Sequence, residues 1–179
     1  MQQINLIQAK GGQGTSVTAC GVALRAAGEG LQVRLDGHDQ TTLAAILGAH
    51  GDGNVIPGLI LCHPNGERFD LVVHDGPADE GINLLVVRAC YLALRRALHL
   101  DGSPSATGVV AVLEPGRALD AQDVAAVLGL PVIATIPVRA EIARAVDAGV
   151  LADRLPEPLA SAASQILNFA TGEPAKEVA

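Results

Sequence analysis

Aromatic side chains are nearly missing from this sequence. Of its 179 residues one is Tyr, two are Phe and none is Trp, yet 49% are hydrophobic. Ala, Val, Leu and Ile must therefore fill the interior, a composition that suits buried parallel strands covered by helices. Cysteine is scarce as well. Cys20, Cys62 and Cys90 are odd in number and widely spaced, which excludes a disulfide framework or a zinc motif. Positive charge is in deficit, with 12 Lys and Arg against 19 Asp and Glu and a net charge of −7. That balance argues against a surface gripping DNA through many phosphates, so DNA binding is expected to be weak or indirect. Arg88, Arg95 and Arg96 read either as a solvated helix face or as a local basic patch. No apolar stretch approaches the roughly 20 residues that span a bilayer. No charged-then-apolar export signal precedes the strand-like Ile4-Asn5-Leu6-Ile7, so a cytoplasmic protein is expected.

The length suits one domain with a sizeable core and is too short for two ordinary ones. Apolar runs predict strands over 3–8, 31–35, 58–62, 69–74, 83–87, 108–113 and 132–136. Helical spacing falls over 15–27, 41–47, 91–98, 119–128, 140–148 and 157–169. Residues 49–57 read as a loop, and Pro64-Asn65-Gly66 as a turn. The domain is expected to occupy 1–170, followed by a disordered tail over 171–179. Apolar strands alternating with amphipathic helices imply an α/β fold, a mostly parallel sheet with helices on both faces. Ligands of such sheets bind beyond the carboxyl ends of the strands.

Three features gather on that edge. The first is the loop Lys10-Gly11-Gly12-Gln13-Gly14-Thr15-Ser16. A nucleotide triphosphatase loop, G-x-x-x-x-G-K-[ST], uses glycines to bring backbone N–H groups to the phosphates, a lysine for the β and γ oxygens, and a hydroxyl for Mg²⁺. Gly14 and Ser16 fit that scheme, but Thr15 stands where the lysine belongs. The second is Phe69-Asp70-Leu71-Val72-Val73-His74-Asp75, an apolar strand ending in a carboxylate. Asp75 reads as a magnesium-shell acid opposite Ser16, or as a helix cap or turn aspartate. The third is Asp36-Gly37-His38-Asp39-Gln40, with Leu47-Gly48 downstream. His38 is either a proton acceptor near neutral pH or a plain surface histidine.

Together these segments resemble the ParA/MinD family of partitioning and positioning ATPases. The family's loop reads K-G-G-x-G-K-[ST], its second strand ends in D-x-D-P-Q with a later L-G, and its C-terminal third carries "lglPvlatIP" and "A-x-x-x-G". Here the last two correspond to Leu128-Gly129-Leu130-Pro131 through Ile136-Pro137, and to Ala145-Val146-Asp147-Ala148-Gly149. The resemblance runs from Ile4 to about Leu167. It implies ATP or ADP with Mg²⁺, held by Lys10, Gly11, Gly12, Gln13, Gly14, Thr15, Ser16 and Val17. It puts Asp36 in the nucleotide site, Ser16 and Asp75 at the metal, and Pro137 and Val138 beside the base. It further implies a homodimer in which Lys10 reaches the partner's phosphates. His38 replaces the family aspartate that acts on the attacking water, with Asp39 one step away as a substitute carboxylate.

Losing the loop lysine removes a preorganised cation, a change that typically costs about 10²–10³ in rate. The expected protein is therefore a nucleotide-dependent dimerisation switch in plasmid or chromosome partition or in cargo positioning. Its hydrolysis is expected to be weak or absent, and its partner a ParB-like or other adaptor. Membrane anchoring is not expected, because Glu173, Lys176 and Glu177 after the last helix do not form a basic amphipathic anchor. Two alternatives stand beside this reading. One is a nucleotide-free interaction module in which Thr15 is merely a helix N-cap. The other is a dinucleotide-binding oxidoreductase, with Gly12-x-Gly14 as a partial fingerprint and Asp36 as the ribose acid.

Overall fold

The computed structural model describes residues 1–49, 54–61, 68–99 and 105–172. The expected Pro64-Asn65-Gly66 turn and nearly all of the expected tail lie outside them. In chain order the elements are β1 (Gln2–Ile7), α1 (Thr15–Gly28), β2 (Val33–Gly37), α2 (Gln40–Leu47), β3 (Asn54–Ile56), β4 (Leu59–Leu61) and β5 (Leu71–Asp75). There follow β6 (Ile82–Arg88), α3 (Tyr91–Ala97), β7 (Gly108–Leu113), α4 (Ala121–Leu128), β8 (Val132–Pro137), α5 (Ala140–Asp147) and α6 (Glu157–Thr171). Among the described residues no helix is long and apolar enough to cross a membrane.

All eight strands form one sheet, ordered β3-β4-β2-β5-β1-β6-β7-β8. Every neighbouring pair is parallel except β3 with β4. That antiparallel edge corrects the loop expected over 49–57: Asn54–Ile56 is a short strand paired back onto β4. A three-residue edge strand carries too little periodicity to stand out in sequence.

Alternation within the strands divides the core. Ile4 and Leu6 of β1, Leu84 and Val86 of β6, and Val110 and Val112 of β7 pack with α1, α2, α5 and α6. Ile7, Leu85, Val87, Val109 and Ala111 meet α3 and α4 on the other face. Strands buried on both faces read as continuous apolar runs, which is why the sequence displays them so plainly. Asn5 interrupts β1 yet is fully buried. Its side-chain amide donates to Asn83 Oδ1 at 3.0 Å and also to the Glu80 carbonyl. Asn5 and Asn83 are paired residues of β1 and β6, so this polar contact pins the register between those strands.

The order around β1 positions the site. β5 lies between β1 and β2, and the register aligns Leu6, Asp75 and Gly37 across the three strands. A dinucleotide fold of order 3-2-1-4-5-6 puts its second strand directly beside the first. Here the strand carrying Asp75 intervenes, and the oxidoreductase reading is set aside on that ground.

Candidate functional site: a glycine loop between two arginines and a half-buried aspartate

The loop after β1 passes through left-handed backbone at Gly12 (φ 77°) and Gly14 (φ 92°). Residues with a Cβ rarely adopt that region, which explains the glycines. Gly14 caps α1 without a side chain, so the first N–H groups of a 14-residue helix remain available to an anion. Gln13 is buried. Its Oε1 accepts from the Arg88 backbone N–H at 3.0 Å, tying the loop to the end of β6. Its side chain thus serves the loop's shape.

Thr15 is the first residue of α1 and does not cap it; Gly14 does. Its side chain is buried, and its hydroxyl donates to Gln8 Oε1 at 2.9 Å. The Thr15 side chain is therefore committed to the loop's own scaffold. Thr18, one turn on, is also buried and returns its hydroxyl to the Gly14 carbonyl at 2.8 Å. Lys10 is half-buried at the front of the loop and forms no ion pair among the described residues.

Ser16 and Asp75 lie side by side, and the Ser16 hydroxyl favours the ionised form of the Asp75 carboxylate. Burial pushes the Asp75 carboxyl above its usual range, against the Ser16 hydrogen bond and nearby His74; Asp39 raises it further, and His38 opposes. A desolvated carboxylate beside a hydroxyl offers hard oxygen ligands of the kind Mg²⁺ prefers. Among the described residues no cluster of three or more His, Cys, Asp or Glu forms a closed metal cage. A magnesium ion here would need water and ligand oxygens to complete its shell, its usual habit in phosphate sites.

The second-strand turn is more self-contained than expected. Asp36 Oδ1 accepts from the Gly37 N–H at 3.0 Å and from Gln40 Nε2 at 3.1 Å, and Asp36 Oδ2 lies 3.5 Å from Arg34. Its carboxylate is thereby engaged in shaping the turn. Asp39 is the N-cap of α2; it accepts from the Thr42 N–H at 2.9 Å and the Thr42 hydroxyl at 2.6 Å. These contacts hold its carboxyl below the usual range. His38 leans over the turn after β5, and its ring meets that of His74 edge-on at 5.9 Å between centroids. His74 is a residue the sequence did not single out. It precedes Asp75 in an apolar run, and its pairing with His38 exists only across strands.

On the other side of the loop an apolar cleft of about 180 Å³ opens, lined by Val17, Val112, Ile136, Pro137, Val138 and Ile142 among others. Pro137 and Val138 therefore face the same cavity as Gly14. Two arginines, Arg88 and Arg139, complete its wall. Arg88 ends β6, which corrects its grouping with Arg95 and Arg96, residues of α3. The β6 run reads as core in sequence, so nothing local marks its last residue as a cleft lining.

A glycine loop feeding a helix, with the Ser16–Asp75 pair at the adjacent strand end, defines a phosphate-loop α/β domain. No protein-family model matches the sequence, and no curated protein matches it. Solved structures do. The MinD cell division protein of Aquifex aeolicus superposes with a TM-score of 0.77 at 15% identity, covering 100% of both chains. The septum site-determining protein MinD of Pyrococcus horikoshii OT3, complexed with Mg-ADP, gives 0.74 at 16% identity over 94% of this chain and 95% of that one. A ParA family ATPase from Chlorobium tepidum TLS gives 0.64 at 14% identity over 95% and 97%. The chain has the fold of the MinD and ParA ATPases.

Proposed function

We propose that this protein is a ParA/MinD-like nucleotide-dependent dimerisation switch, acting in partition or in the positioning of intracellular cargo, that binds ATP or ADP more readily than it hydrolyses ATP. One observation carries the reading: the Ser16 hydroxyl and the half-buried Asp75 carboxylate lie together at the mouth of a glycine loop whose helix N-terminus is open to an anion. Ser16 and Asp75 would hold Mg²⁺, which would supply charge neutralisation at the phosphates. The N–H groups of the loop and first turn orient the phosphate chain, and the apolar wall at Pro137 and Val138 takes the base. Of the solved structures sharing this fold, the Pyrococcus horikoshii protein was determined with Mg-ADP.

Weak hydrolysis follows from what the site contains. Thr15 brings no cation, and its hydroxyl is bound to Gln8. His38 lacks the fixed negative charge of an aspartate, while Asp39 is tied to Thr42. Partner binding through a ParB-like or other cargo adaptor belongs to the same reading. So does a homodimer with Lys10 at the shared face.

Calorimetry with Mg-ATP and Mg-ADP, paired with a phosphate-release assay, tests the proposal. Saturable binding with turnover about 10² or more below that of a ParA-type enzyme with an intact loop is expected. Absence of binding to either nucleotide would favour the nucleotide-free module, and turnover equal to the intact enzyme would overturn the weak-catalysis claim.

A further inference from the structure

The cleft beside the loop is lined by two arginines and by no carboxylate. Arg88 borders it with Gln13, Gly14 and Val17, and its Nε is buried without a hydrogen-bond partner among the described residues. A buried guanidinium N–H without an acceptor is costly and calls for a partner such as a water, an ion or a ligand oxygen. The neighbouring contacts also fix the residue. β6 runs parallel to β1 with Ile7 opposite Leu85, so Arg88 emerges level with the loop, and its backbone N–H is held by Gln13. The normal cation of such a loop is meanwhile absent, because Thr15 occupies its position and turns toward Gln8.

Resting on the nucleotide reading above, we propose that Arg88 is the phosphate-binding cation of this site, supplied from the end of β6 in place of the loop lysine. Its location sets which phosphates it serves. Asp75 and Ser16 lie toward β5 on one side of β1; Arg88 lies on β6 on the other, in one cleft with Pro137 and Val138. Arg88 therefore binds the phosphates nearer the sugar and not the terminal one. Its planar fork can take two oxygens of one phosphate, which lysine cannot. The exchange keeps the affinity of the site while leaving the terminal phosphate without a side-chain cation from its own loop.

The test is calorimetry on the full chain with Mg-ADP, Mg-ATP and inorganic pyrophosphate, comparing the unaltered protein with Arg88→Met and Arg88→Lys. Methionine keeps an apolar stem in the cleft, and both variants keep the backbone N–H that Gln13 holds. The ligand-free thermal midpoint verifies folding. Arg88→Met is expected to weaken ADP and ATP alike by about ten- to a hundredfold, and Arg88→Lys by less. Nucleotide affinities unchanged in Arg88→Met overturn the role of Arg88 and leave the nucleotide reading intact. A loss seen with ATP alone overturns the placement near the sugar. Binding of pyrophosphate but not of nucleotide, abolished in Arg88→Met, overturns the nucleotide reading and upholds Arg88. No binding of any of the three by the unaltered protein overturns both.

Discussion

Asp75 shows how one residue can work against the fold of the ligand-free chain. Burial raises its carboxyl above the ordinary value of about 3.9. Between that value and the raised one the folded chain binds more protons than the unfolded chain, so stability falls as pH rises through the window. Ionised Asp75 is thus a burden on the ligand-free protein at neutral pH. Asp75→Asn is expected to raise the ligand-free thermal midpoint at pH 7, with the advantage closing as pH drops below about 4. On the nucleotide reading, the same variant is expected to lose the part of nucleotide stabilisation that depends on Mg²⁺. A midpoint at pH 7 no higher than that of the unaltered protein would remove this account. Legibility at this scale was uneven. Ser16 and Asp75 stood out because each follows an apolar strand at a recognised spacing. Arg88 and His74 did not, because their partners lie on other strands.

Among the elements, the contact between α2 and α5 joins two motifs about a hundred residues apart. Gly48 ends α2 in left-handed backbone (φ 67°), and Gly149 follows α5 in the same conformation (φ 62°). A Cβ on Gly48 would lie 2.1 Å from the Gly149 carbonyl oxygen. The L-G and A-x-x-x-G signatures are thus two halves of one backbone contact. It braces the far ends of helices whose near ends flank the site, α2 beginning beside Asp39 and α5 after Val138. Gly129 ends α4 in the same backbone conformation with open space around it, and serves as a control. Gly129→Ala should cost only the left-handed penalty of about 1–2 kcal/mol. Gly48→Ala should cost clearly more in chemical denaturation, because the Gly149 backbone must also move. Equal losses would mean that the helices do not depend on this contact.

For the whole molecule, the switch reading makes assembly separable from binding. Lys10 is half-buried at the front of the loop, away from the cleft that holds Arg88, and no acid pairs with it among the described residues. Mg-ATP is expected to shift the protein from monomer to dimer on a sizing column. Lys10→Ala should abolish the shift and retain calorimetric binding within a few-fold, because its role lies across the interface. Dimerisation of Lys10→Ala equal to that of the unaltered chain would sink this assignment.

The sequence by itself determined the class of fold and the edge where the site lies. Strands buried on both faces must be continuous apolar runs, and a glycine loop between strand and helix announces itself locally. The glycine loop and Asp75 were legible for the same reason: the loop follows β1 and Asp75 ends β5. Only the tertiary structure decided that β5 separates β1 from β2, that Thr15 turns to Gln8, and that Asp39 is spent on Thr42. It alone brought Arg88 to the loop, since β1 and β6 meet through a pairing of residues 78 apart in sequence, Asn5 with Asn83. Contacts of that range leave no periodic trace in the chain, and in this protein they decide which arginine borders the glycine loop.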